Sequence, residues 1–72
     1  MTTEIKDIIR WQRIGMICVE LSHRLDISIT RAMDIFYQSK TSELFRDEST
    51  GLYLYGELYI AEEIMRELES RA

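Results

Sequence analysis

Cys18 and His23 are the only cysteine and histidine of this chain. With the carboxylates Glu62, Glu63 and Glu67, they are the side chains whose types could do chemistry. A cysteine activated by a histidine is a nucleophile, and a Cys/His set joined by carboxylates holds zinc. The spacing supports neither. Cys18 and His23 lie five residues apart on one predicted helix and point in well-separated directions, and no Asp or Glu spacing completes a triad or a tetrahedral ligand set. Cys18 therefore reads as a packing residue and His23 as a helix-end residue. The three glutamates could be imagined as an acid/base or metal cluster, but they fall on the outer face of a predicted amphipathic helix, where ordinary carboxylate pKa values are expected. They read as a solvated charge face whose use is the attraction of a basic partner. No catalytic, cofactor-binding or metal-ligating residue is assigned, and the chain reads as a non-enzyme.

The residues better suited to recognition are aromatic. Tyr53, Tyr55 and Tyr59 lie on or next to a short segment bracketed by Gly51 and Gly56, and tyrosine supplies large amphipathic contact area at little entropic cost. Leu54 sits between two of them, and Trp11 lies near a basic strip on the first predicted helix. The expected partner-binding set is Tyr53, Leu54, Tyr55 and Tyr59, with Glu62, Glu63 and Glu67 adding charge and Trp11 in reserve. Tyr37 is expected at the rim of the core.

Four helices must position these residues. Ile5, Ile8, Ile9, Trp11, Ile14, Ile17, Cys18, Leu21 and Leu25 recur at helical spacing and predict a first helix from about Glu4 to Arg24, with Thr3 as N-cap. Its apolar residues other than Ile17 cover more than half of a helical wheel, against the usual third or so, leaving a strip of Lys6, Arg10, Arg13, Glu20 and Arg24. Such a helix has more apolar surface than its short partners can cover. Ser28 is expected to cap a second helix with Ile29, Ala32, Met33, Ile35, Phe36 and Tyr37 facing inward, fraying near Ser39. Thr41 is expected to cap a short third helix, Ser42 to Arg46, with Leu44 and Phe45 inward and Glu43 in its first turn. Asp47 to Gly51 reads as a turn, because Gly51 can take a positive φ. Leu52 to Tyr55 alternates with period two and reads as extended. Glu57 to Ser70 reads as a final amphipathic helix, with Leu58, Ile60, Ala61, Ile64, Met65 and Leu68 inward. The fold class is all-α, a small bundle of three main helices and one short one in a single domain, residues 1–72.

Composition bounds the function. The chain has 72 residues, of which 46% are hydrophobic and 31% charged, and no proline. A domain this small buries only about 60% of the surface its unfolded chain exposes, so its core is marginal. With one cysteine and one histidine, neither disulfides nor a structural zinc can compensate, and association is the remaining route. The net charge is −4, which disfavours nonspecific binding to nucleic acid or anionic membrane. Residues 1–40 carry six basic and five acidic side chains, whereas residues 41–72 carry three and eight. A helix-turn-helix that binds DNA, Leu21 to Ala32, stays as the weaker alternative reading, disfavoured on the same ground because Thr30 and Arg31 are followed by Asp34 in an acidic chain. The apolar run from Ile14 to Val19 is too short to span a bilayer, and Met1 to Glu4 lacks a leader's basic start, so a cytoplasmic protein is expected.

The stretch from Ile27 to Leu68 also resembles a known family. Its Ile-Ser opening of the second helix, the junction Phe36-Tyr37-x-Ser39-Lys40-Thr41, the turn Thr50-Gly51-Leu52-Tyr53-Leu54 and the helix start Tyr59-Ile60-x-Glu62-Glu63 resemble small bacterial proteins grouped as domain of unknown function 3791. The resemblance covers more than half of the chain and leaves the first helix outside it. It implies an all-helical bacterial protein encoded beside other small genes, some resembling ADP-ribosyltransferase-like toxins, and it carries over no catalytic residue. The expected function is a noncatalytic interaction module, antitoxin-like, whose partner is another protein such as a neighbouring gene's product. The alternative is a self-associating structural or regulatory protein in which the broad face of the first helix packs on its own copy.

Overall fold

In the computed structural model, which describes residues 5–71, the chain forms four α-helices: α1 (Ile5–Leu25), α2 (Ile29–Gln38), α3 (Lys40–Arg46) and α4 (Glu57–Ser70). Two single 3₁₀ turns, Glu48–Thr50 and Leu52–Leu54, join α3 to α4. The described residues contain no strand, and the domain is an all-α bundle. No helix among them is long and apolar enough to cross a membrane. Thr3 and Glu4, expected to open the first helix, lie outside the described residues, as does the side chain of Lys6.

The core is built where the helices converge. Ile14, Ile17, Cys18 and Leu21 of α1 meet Ala32 and Phe36 of α2, Phe45 of α3, and Ile60, Ala61 and Ile64 of α4. Phe36 and Phe45 pack edge to face, with ring centroids 6.4 Å apart. Ile17, left off the apolar stripe by the wheel, is fully buried. Two residues of the charged strip beside it, Arg10 and Arg13, reach over to the rest of the chain. Arg10 pairs with Glu48 at 2.9 Å and Arg13 with Glu57 at 2.9 Å, so α1 turns this side toward the segment after α3.

Each junction has a local cause. At the end of α1, Asp26 adopts φ 54°, and the Ile27 and Asp26 amides donate to the carbonyls of Ser22 (3.0 Å) and His23 (3.4 Å). This is a Schellman closure with aspartate in the left-handed position that glycine usually takes. Ile27 then folds back against the core. Ser28 caps α2 by accepting from the Arg31 amide at 3.1 Å, as the sequence predicts. The cap of α3 is Ser39 rather than Thr41, since the Ser39 hydroxyl accepts from the Ser42 amide at 3.0 Å. Ser39 thus stops one helix and opens the next. Gly51 supplies the expected positive φ, 72°.

Three expectations about facing are corrected. Ile29, Met33, Leu44 and Leu58 were expected inside and are exposed, because helices of 10, 7 and 14 residues present only one narrow face to a core this small. Leu52 to Tyr55 is not extended. With no second strand to pair with, its amides close locally, Leu54 onto Gly51 at 3.1 Å and Tyr55 onto Leu52 at 3.0 Å. Glu67 does not lie on the outer face. Its carboxylate accepts from the Lys40 and Thr41 amides and the Thr41 hydroxyl at 2.8, 3.0 and 2.8 Å, tying α4 to the start of α3.

Candidate interaction surface

Arg13 fixes the tyrosine segment. From the middle of α1 its guanidinium donates to the backbone carbonyls of Tyr53 and Tyr55 and to Glu57, and it lies 5.1 Å from the centre of the Phe45 ring. One planar fork thereby holds the 3₁₀ turn, the start of α4 and α3 together, a geometry a lysine cannot reproduce. The hydrogen bond from Arg13 holds the Glu57 carboxyl below its ordinary range.

With its backbone clamped, the segment turns its side chains outward. Tyr55 and Tyr59 stack with centroids 4.6 Å apart and planes 22° from parallel. Both are exposed, as is Leu54, and Leu58 is 59% exposed beside them in sequence. Leu54 and Tyr55 also line one hollow with Thr50 and Gly51. Tyr53 turns the other way. It lines a cleft of about 320 Å³ with Ile9, Arg10, Arg13, Phe45 and Glu48.

The acidic members are dispersed. Glu62 lies 3.6 Å from Arg24 with half its side chain exposed. Glu63 pairs with Arg66 on its own helix. Glu67 is occupied by α3; burial pushes its carboxyl up, but the Lys40 and Thr41 donors, with Arg71 nearby, outweigh this and hold it below the ordinary range. Trp11, 59% exposed, belongs to a separate groove of about 250 Å³ between α1 and α2, with Gly15, Ile29, Met33 and Tyr37. Of the predicted set, the fold therefore gathers Leu54, Tyr55 and Tyr59, with Glu62 and Glu63 one turn further along α4, and leaves Tyr53, Trp11 and Glu67 elsewhere.

Cys18 is buried, and burial pushes its thiol up. Among the described residues, no three of His, Cys, Asp and Glu come close enough to hold a metal ion. Leu58 and the role of Glu67 were missed at the sequence level, and the helical wheel held the signal. Leu58 lies about 110° from the centre of the Ile60–Ala61–Ile64 face and Glu67 only about 70°. Comparison with family models, curated proteins and solved structures returned no match.

Proposed function

We propose that this chain is a noncatalytic protein-interaction module, a neutralising partner that covers a cleft of a bacterial enzyme or toxin in the cytoplasm. The toxin class, ADP-ribosyltransferase-like, comes from the family resemblance of residues 27–68. The observation that carries the interaction reading is the exposed stack of Tyr55 on Tyr59 with Leu54 beside it. Large apolar and aromatic side chains grouped on a rigid backbone are the makings of a binding hot spot. Glu62 and Glu63 add negative charge near the surface of a half-chain already rich in it, which speeds encounter with a basic partner at low salt.

Co-expression with the product of the adjacent gene, followed by affinity capture, tests this. A stable complex is expected, and Tyr55→Ala with Tyr59→Ala should weaken it by about 2 kcal/mol, roughly thirtyfold. Both rings are at least two-fifths exposed, so the double variant should keep its helical circular dichroism. Failure of the wild type to form a complex, or equal binding by the double variant, rules the surface out.

A further inference from the structure

The outward side of α1 carries a second, independent surface. Ile5, Ile9, Gln12, Met16, Val19 and His23 follow a 4-3-4-3-4 spacing, which places them within about 80° of one another on the helix. All six are exposed, Ile5 by 76% and Met16 by 59%. Ile8 flanks the stripe on one side, and Ile29 of α2 joins Gly15, Met16 and Val19 around a shallow hollow near its middle.

We propose that this stripe is the dimer interface of the protein, and that its occupant is the α1 helix of a second copy running antiparallel about a two-fold axis near Gly15. The spacing is that of a helix seated against another helix of the same period. The stripe contains no Asp, Glu, Lys or Arg, and the charged residues at its edge are engaged within the chain, Arg13 with Glu57 and Glu20 with Arg24. It thus offers a charged partner no ionic handle. An identical uncharged stripe matches it. Gly15 has nothing within 4 Å of where a Cβ would stand, which leaves room for close approach of two backbones at the axis. The antiparallel sense sets Ile9 against the partner's Val19 and Ile5 against the partner's His23, and it opposes the helix dipoles.

The area is sufficient. The apolar residues of the stripe with Ile8 and Ile29 expose on the order of 500–600 Å² per chain, so their complete burial in two copies removes about 1,000–1,200 Å², at the lower bound for a specific stable interface.

Sedimentation equilibrium from micromolar to millimolar chain concentration tests the dimer. The wild type should move from monomer to dimer mass, and Met16→Glu or Val19→Lys should raise the dissociation constant by about a hundredfold or more, since each buries unpaired charges at the axis. Met16→Leu should leave it near the wild-type value. Under oxidation Gly15→Cys should link to its own copy, whereas Ile5→Cys should not, because its copies stand at opposite ends. Monomer mass at every concentration, an unchanged constant in both charged variants, or self-linking of Ile5→Cys but not Gly15→Cys overturns the proposal. Tyr55→Ala with Tyr59→Ala should dimerise undiminished. A dimer that captures no heteropartner therefore removes only the tyrosine surface, and a monomer that captures one removes only this interface.

Discussion

Removing the Glu67 carboxylate should destabilise the fold rather than weaken binding. In the structure it accepts three hydrogen bonds from the first turn of α3, two of them from the Lys40 and Thr41 amides that α3 itself cannot satisfy, and Arg71 approaches it at 3.2 Å. Its side chain is only 20% exposed. Hydrogen bonds to a charged acceptor contribute about 1.5–3 kcal/mol and a lost helix cap costs about 1. Water can reach the Lys40 amide once the carboxylate is gone, so Glu67→Ala should cost about 2 kcal/mol. A 72-residue domain has roughly 4–11 kcal/mol in all, so the melting temperature should fall by about 8–16 °C. The pH dependence has a definite sign. The folded carboxyl is held below its ordinary value of 4.5, so its contribution is fully present above that value and is lost as pH falls through the lower, folded one. Thermal melts of wild type and Glu67→Gln at a series of pH values should therefore differ at pH 7 and converge in acid. A Glu67→Ala loss below about 0.5 kcal/mol, or a wild-type advantage over Glu67→Gln that persists in acid, would refute the capping role. Slower partner association with no loss of stability would restore the electrostatic role expected from sequence.

Arg13→Lys should cost about 1–2 kcal/mol, because a point ammonium cannot serve Glu57 and the carbonyls of Tyr53 and Tyr55 together; hydrogen exchange should show the amides of residues 53–56 opening first. The two left-handed residues should respond oppositely in melts. Gly51→Ala, at φ 72°, should lose about 1 kcal/mol, and Asp26→Gly, at φ 54°, should gain about 0.5. Cys18, buried with its thiol pushed up, should resist alkylation at neutral pH in the folded chain and react promptly in denaturant, which mass spectrometry reads directly.

Helical periodicity, capping serines and turn glycines are local properties, and they were legible in the residues themselves. Ser28 capping α2, Gly51 turning the chain and α4 running from Glu57 to Ser70 all follow from neighbours a few positions apart. The all-α class follows too, as does the excess of apolar surface on α1. Tertiary structure decided which way each face turned, because that depends on what a distant segment offers. Ile17 lies inside because α2 and α4 converge on it, and Glu67 left the charge face because α3 brought it two unsatisfied amides. Leu52 to Tyr55 closed into a 3₁₀ turn because strand alternation has no value without a second strand, and Arg13, 40 residues away, was there to clamp its carbonyls. Long-range hydrogen bonds and burial choose among conformations that local spacing leaves nearly equal in free energy, and so the helices could be read in advance while the surface could be read only once they had packed.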